Sequence, residues 1–326
     1  MLGVPDPTSV VFTSGATESN NWAILGTTDA AGTPGHLIAS SIEHPSVSEP
    51  LHRLKARGWR VSFLRVGDLG VVDPDDLARE LRDDTVLVSI MAANNETGAI
   101  QPIRALSTLV KERHPSAVFH TDATQATGKI PVSLAQDYKH VDLLSLSAHK
   151  FHGPKGVGAL FVREGTTLAP FIVGGGQENG RRSGTTNVPG VVGVGVAAAL
   201  AAEGLCGVNS ISHLRDRFET GLRDRLPEAI VHATLAPRLP NTSCFSLPGC
   251  SANSLADVLA TKGIFVGTGS ACSFGSFRPP KTLTAMGIGY DIAVTALRVG
   301  LSRYTREEEI EALLDAIVAC RNGSTS

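Results

Sequence analysis

The hydrophobic and polar positions along the chain alternate between two periods. Short apolar runs of strand length cover residues 10–13, 36–40, 61–66, 85–91, 117–122, 141–147 and 156–162. Helical patterns lie between them: one opens at Ser14 and runs through Leu25, and others span 45–58, 74–81 and 104–114. Asp73 reads as the cap of the third, with Pro74 at its first position. Strand and helix repeated with short connections predict an α/β fold: a mostly parallel sheet, helices on both faces, and a ligand at the carboxyl ends of the strands. The texture changes near residues 203–207. A charged helix over 209–226 follows, then strands at 230–233 and 242–247, a helix over 253–261 and a strand-like run at 296–302. A last helix has Ile310, Leu313, Leu314 and Ile317 on one face, with Thr305 and Glu308 read as its capping box. The expected organisation is a large α/β domain over 1–206 and a smaller C-terminal α+β domain over 207–326 carrying a cysteine loop.

Two strand ends carry unusual polar residues. The run from Val141 ends in Ser147-Ala148-His149-Lys150 and breaks at Gly153-Pro154, and the preceding strand ends in His120-Thr121-Asp122. Taken singly, Asp122 reads as a helix cap and Lys150 as a side chain that snorkels to solvent. A free lysine titrates near about 10.4, so holding it as a neutral amine costs roughly 4 kcal/mol. A Schiff base to an aldehyde cofactor removes that cost. Pyridoxal phosphate forms one, and its pyridine nitrogen needs an acidic partner. The pair on consecutive strand ends favours this cofactor.

Composition sets limits on the alternatives. The 326 residues are 42% hydrophobic and 18% charged with net charge −2, ordinary for a soluble globular chain. No basic or acidic run points to nucleic acid or an anionic membrane. The start lacks the pattern of a signal peptide, and the longest apolar run, 188–202, holds Pro189 and several glycines and is too short to span a bilayer. Five cysteines without CxxC or metal-ligand spacing suit a reducing cytoplasm, most of them as buried small hydrophobes, and no metal site is expected.

Four glycine-containing stretches each admit two readings or need one excluded. Gly15-Ala16-Thr17 leads from a strand into a helix N-terminus, a natural phosphate seat or an ordinary cap. The most glycine-dense stretch, 174–185, reads on its own as a surface loop. Gly193-Val194-Gly195-Val196-Ala197-Ala198 imitates a dinucleotide fingerprint, but it does not stand between a strand and a helix start, so its small residues are read as helix packing. Cys272 sits in Gly269-Ser270-Ala271-Cys272-Ser273, among small neighbours rather than apolar ones; an inert loop thiol and a nucleophile are equally open on that ground.

HTDATQ at 120–125, SxHK at 147–150 and GSAC at 269–272 together resemble the NifS-like, group I cysteine desulfurases of the class V aminotransferase family, enzymes of pyridoxal-phosphate fold type I. The resemblance runs from about Val11 to about Glu309. It implies that Lys150 carries the cofactor, that Asp122 faces its pyridine nitrogen and that Gln125 bonds its phenolic oxygen. Ala16, Thr17, Ser147 and His149 are implied as further cofactor contacts, with Ala16 and Thr17 at the phosphate. His44 is placed flat over the ring, where it can shuttle protons or accept one from Cys272. Asn95 is implied at cofactor and substrate, and Arg298 as clamp for the substrate α-carboxylate, ahead of Arg303. Thr185 is implied to reach the phosphate of a second subunit, which makes the enzyme an obligate homodimer with shared active sites, and the cysteine pattern places it in the cytoplasm. The implied reaction takes L-cysteine to L-alanine and leaves a persulfide on Cys272, from which an acceptor protein or small thiol takes the sulfur. Iron–sulfur clusters, tRNA thiolation and a specialised pathway all stay open as destinations of that sulfur.

Members of that family begin with a further segment of several dozen residues bearing an Asn-Ala-Ala-Thr-type loop, whereas this sequence starts just before its first readable sheet strand. The readings that remain beside cysteine desulfurase are a selenocysteine lyase or aminotransferase of the same fold, and a truncated, non-catalytic scaffold.

Overall fold

The computed structural model describes residues 1–4, 6–268 and 279–323. The chain divides into two compact units, the first made of Met1–Arg65, Val72–Asn94 and Gln101–Leu205, the second of Val66–Val71, Asn95–Ile100 and Cys206–Ser326.

In the first unit the strands are β1 (Val10–Thr13), β2 (His36–Ser40), β3 (Arg60–Leu64), β4 (Thr85–Ser89), β5 (Val118–Asp122), β6 (Leu143–Ser147) and β7 (Gly158–Val162). Its helices are α1 (Ala16–Ala31), α2 (Pro45–Lys55), α3 (Pro74–Glu80), α4 (Ile103–Arg113) and α5 (Val188–Gly204). The seven strands form one sheet in the order β1-β7-β6-β5-β4-β2-β3. Strands β2 to β6 pair in parallel, and β7 runs antiparallel to both β1 and β6. Every residue of β2, β6 and β7 is buried, as a sheet covered on both faces requires. Ile24 of α1 and Val47, Leu51 and Leu54 of α2 close over Leu37, Ala39 and Leu87. Asp73 caps α3 by accepting from Asp75 N at 2.9 Å, with Pro74 at the first position.

Polar clasps fix the strands that matter most. Lys111 of α4 reaches Asp142 Oδ2 at 2.5 Å and Ala117 O at 2.7 Å, and the same carboxylate oxygen accepts from Phe119 N at 2.6 Å. Helix, β5 and the entry to β6 are thereby tied at one end. In the sheet interior His120 bridges three strands, its Nδ1 to Ser89 Oγ at 2.8 Å and its Nε2 to Ser145 Oγ at 2.9 Å. Burial pushes this ring down to about 4. His36 and His232 are buried beside hydroxyl partners too, and burial brings each down to about 4.

Gly158 faces Thr13 on one side and Ser147 on the other. A Cβ there would stand 2.5 Å from Leu146 O and 2.7 Å from Gly15 Cα. The absent side chain lets the loop before α1 close against the end of β6. Gly193, inside α5, lies under Pro154, where a Cβ would meet Cγ at 2.5 Å. Both fingerprint-like glycines are mid-helix residues, and Gly193 is the one that lets α5 approach its neighbour, since a Cβ at Gly195 would meet nothing.

The second unit contains α6 (Val208–Arg225), β8 (Ile230–Val231), β9 (Thr242–Ser246), α7 (Ala252–Thr261), β10 (Gly267–Thr268), α8 (Lys281–Ala285), α9 (Tyr290–Ala293), β11 (Ala296–Gly300) and α10 (Glu307–Arg321). Its sheet is antiparallel, in the order β10-β11-β9-β8. Phe218, Leu222, Phe245, Leu259, Leu297, Leu313, Leu314 and Ile317 form its core. Two sequence expectations need correction. Strand β8 ends at Val231 because Ala233 turns to φ 55°. Helix α10 starts later than the Thr305–Glu308 reading: Glu309 closes back on Arg306 N at 2.8 Å, while Thr305 Oγ1 accepts from Ser302 N. The cysteines also differ from expectation. Of the four that are described, only Cys244 is buried, Cys206 is exposed, and Cys250 and Cys320 sit half-buried at the edge of the second core.

Gly158→Ala is expected to destabilise the first unit by about 1–3 kcal/mol, because backbone atoms rather than a mobile side chain must move; an unchanged melting curve would contradict this. The buried histidines set the acid limb of stability. A ring that titrates near 4 when folded and near about 6.5 when unfolded takes up a proton on unfolding between those values. Their contribution is complete above about pH 6.5 and is lost as pH falls toward 4, on the order of 3 kcal/mol for fully buried His120. Denaturation curves of His120→Gln at pH 7 and pH 5 should show a smaller acid loss than wild type, and an identical loss would remove His120 from the cause.

Candidate active site

The carboxyl ends of β5 and β6 lie side by side, with Asp122 in register with Ser145. Beyond Ser147 the chain enters one tight 3-10 turn, Ala148–Phe151, which carries His149 and Lys150. His152 stops that turn at φ 67°, and Gly153 N returns to Ala148 O at 2.8 Å. Lys150 is half-buried and His149 exposed. Burial, with Lys150, Lys155 and Lys129 nearby, holds His149 below the usual histidine range. Ser147 Oγ and His149 Nδ1 are 3.0 Å apart.

Asp122 is buried, so its carboxylate depends on donors from the protein. Oδ1 accepts from Thr124 N at 2.9 Å, and Oδ2 accepts from Asn20 Nδ2 at 2.7 Å. Asn20 also donates to Ser46 Oγ at 2.8 Å. Ser46 Oγ lies 2.8 Å from His44 Nδ1, and Ser46 N donates to that nitrogen at 3.1 Å. His44 thereby caps α2 with its own ring, ahead of Pro45 at the first helical position. Asp122 and His44, from separate parts of the sequence, are joined through Asn20 and Ser46.

Helix α1 starts at Ala16 with no side-chain cap at Gly15, so the first N–H groups and the positive dipole end are open to an anion. Ser147 Oγ lies beside this start, 3.6 Å from where a Gly15 Cβ would be. Glu18, in the first turn, accepts from Ser14 N at 2.8 Å and from Arg182 Nε at 2.8 Å. Burial alone would raise Glu18, but these bonds outweigh it and hold the carboxyl below its usual range. The ion pair anchors the glycine-dense segment to α1. Thr185 is exposed on the wall of a cavity of about 180 Å³ that Thr13, Ser14 and Arg182 also line. Gln125 Oε1 accepts from Lys129 Nζ at 2.7 Å.

In the second unit, Arg298 of β11 donates through Nη1 to Asn95 O at 2.7 Å. Glu96, next to Asn95, accepts from Thr282 N at 3.1 Å, and burial raises its carboxyl above the ordinary value. Gly267 lies flat against the Arg298 guanidinium, where a Cβ would meet Nη2 at 3.1 Å. Arg303 lies past the strand and stacks over Tyr304 at 5.1 Å. Cys244, opposite Arg298 in the sheet, has its thiol pushed up to about 12 by burial. Cys272 lies outside the described residues.

Asn20 and Ser46 are the site residues that the sequence reading missed. One signal was present: Asn20 falls one helical turn after Ala16 and in line with Ala23, Ile24 and Thr27, positions that face inward. A buried polar residue on that face demands a partner.

Comparison with known proteins agrees with this arrangement. The aminotransferase class-V family model matches residues 1–313. A cysteine desulfurase IscS from Dictyoglomus turgidum is 45% identical over 310 residues, which cover 94% of this chain and 78% of the relative. A solved NifS-like protein superposes with a TM-score of 0.90 at 38% identity, over 98% of this chain and 84% of that one. A solved structure described as SspA in complex with cysteine gives a TM-score of 0.75 at 32% identity, over 92% and 83% of the two chains. The chain belongs to the class V aminotransferase family, among its NifS-like cysteine desulfurases.

Proposed function

We propose that this chain is a pyridoxal-phosphate-dependent enzyme that converts L-cysteine to L-alanine and hands the sulfur to an acceptor. The observation that carries the reading is the buried carboxylate of Asp122, held by N–H donors on both oxygens, at a strand end next to the one that delivers Lys150. The chain's donor set fits the cofactor. The uncapped start of α1, with Ala16 and Thr17, suits the phosphate, with Ser147 and His149 beside it. Asp122 suits a protonated pyridine nitrogen, Gln125 the phenolic oxygen, His44 the ring face and Lys150 the aldehyde carbon. When bound, pyridoxal phosphate supplies an electron sink that acidifies the α-carbon of an amino acid.

The remaining roles belong to the chain's own residues. Lys150, once released by substrate, takes the proton from the α-carbon. Arg298, steadied on the Asn95 carbonyl, offers a planar fork to the substrate carboxylate, and Asn95 flanks cofactor and substrate. The Cys272 thiolate attacks the substrate sulfur; the carbon–sulfur bond breaks, its electron pair stays on the β-carbon, that carbon takes a proton, and Lys150 returns the proton it took from the α-carbon to complete alanine. The persulfide on Cys272 then passes its outer sulfur to a protein or small thiol.

The active form is inferred to be a cytoplasmic homodimer in which Thr185 serves the partner's phosphate site. Val188, Val192, Val196 and Leu200 form a stripe along α5 that is 60%, 61%, 57% and 45% exposed. Such a stripe supports a covered face, since residues four apart share one side of a helix. The continuous helical run Val188–Arg225, which begins with α5, holds an apolar window of mean hydropathy 1.9, enough by length and composition alone to cross a membrane. Its glycines and Pro189 favour packing between proteins. Free cysteines, four of them described, suit a reducing compartment.

Purified protein supplied with pyridoxal phosphate and L-cysteine should yield alanine and thiol-releasable sulfide in equal amounts. Lys150→Ala should lose both by at least three orders of magnitude, whereas Cys272→Ser should keep the bound cofactor and lose persulfide. Sulfur transfer at the wild-type rate by Cys272→Ser would sink the nucleophile assignment, and cofactor-dependent alanine from Lys150→Ala would sink that of Lys150.

A further inference from the structure

His44 is held at Nδ1, and the contacts there have a direction. A backbone N–H only donates, so the 3.1 Å contact from Ser46 N makes His44 Nδ1 an acceptor. The hydroxyl of Ser46, 2.8 Å away, meets the same nitrogen. That hydroxyl accepts from Asn20 Nδ2 at 2.8 Å, and because Nδ1 is already an acceptor from Ser46 N, the hydroxyl hydrogen is the one that points at His44. The orientation of the Asn20 amide is fixed independently. Its oxygen facing Asp122 Oδ2 at 2.7 Å would set two acceptors against each other, so the nitrogen faces the carboxylate. Both N–H bonds of Asn20 are then used, one on Asp122 and one on Ser46. Its Oδ1 is buried without a partner among the described residues, a cost accepted for the sake of the two donations.

We propose that Asn20 and Ser46 are positioning residues that read the carboxylate of Asp122 and fix His44 as the neutral ring protonated on Nε2. Hydrogen bonds run in one sense along the chain: Asn20 donates to Asp122 with one hydrogen and to Ser46 with the other, and Ser46 donates to His44. The carboxylate anchors the amide, the amide orients the hydroxyl, and the hydroxyl chooses the tautomer. Placing a proton on Nδ1 would set it against the fixed Ser46 N–H and reverse the Ser46 hydroxyl, breaking the sequence. His44 therefore presents an N–H donor at Nε2. In this state it can give a hydrogen bond or a proton to a reacting group, and it is not the base that takes a proton from the Cys272 thiol. The assignment deepens the proposed function and rests on it for the cofactor, but the tautomer is a property of the chain alone.

The test reads the tautomer directly, by nitrogen-15 NMR of histidine-labelled full-length protein, without and with pyridoxal phosphate. The His44 resonances are identified by their loss in His44→Gln. At pH 8 the wild type is expected to show Nε2 protonated and Nδ1 an unprotonated acceptor. Ser46→Ala and Asn20→Ala should shift the Nδ1 resonance and raise the Nδ1-protonated population at least severalfold. Ser46→Thr, which keeps the hydroxyl, should restore the wild-type pattern. The resonances of His36 and His232 report in the same spectrum that each variant is folded. Asn20→Ala should also weaken pyridoxal phosphate binding about tenfold, the loss of one donor to a buried carboxylate. Wild-type His44 protonated on Nδ1, or a pattern indifferent to both alanine variants in folded protein, overturns the proposal. If Asn20→Ala does not fold, the wild-type tautomer and the Ser46 pair still decide it. Wild-type protein that shows the tautomer but binds no cofactor would sustain this inference and refute the functional reading.

Discussion

A carboxylate withdrawn from water needs a donor at each oxygen, and much of the first unit serves to supply them to Asp122. One donor comes from the turn that follows β5, the other from the second turn of α1. For α1 to deliver Asn20 there, the helix must start where it does, hard against the end of β6. That start depends on Gly158, where a side chain would collide with Leu146 of β6 and with the Gly15 loop. The Lys111–Asp142 clasp fixes β5 against the entry to β6, so the carboxylate and the lysine turn arrive together. The site follows from a sheet whose parallel strands all end on one edge.

Within each unit the charged groups are compensated close at hand. In the first, Arg182 cancels Glu18 at the very helix start that suits an anion, so the dipole end is not spoiled by a bare carboxylate. In the second, burial raises the thiol of Cys244, the cross-strand partner of Arg298, which keeps it uncharged. Arg298 in turn donates to the Asn95 carbonyl and lies close against Gly267, which leaves no room for a side chain beside the guanidinium.

The alternation of strand and helix was legible in the sequence because each segment repeats one period and the connections are short. Asp122 and Lys150 were legible because a charged residue at the end of an apolar strand breaks the pattern. Asn20 showed only as a polar residue on the inward face of α1 and Ser46 not at all, since their meaning lies in contacts between distant segments, Asn20 reaching Asp122 across 102 residues. The start of α10 was misread for a local reason. Thr305 and Glu308 have the right spacing for a cap, but the turn after β11 claims the threonine hydroxyl, and the next pair in line makes the box. The exposed stripe of α5 was visible only as an apolar run; which side faced outward required the helix to be placed against Pro154.

The central claim is that the turn after β6 presents Lys150 to an aldehyde whose ring nitrogen meets Asp122. The most direct measurement is to mix the purified protein with pyridoxal phosphate, reduce with borohydride, digest, and map the retained label by mass spectrometry. The account predicts one labelled residue, Lys150, and loss of labelling there in Asp122→Ala. Label spread over Lys129 and Lys155, or Lys150 labelled equally well without the Asp122 carboxylate, would contradict it.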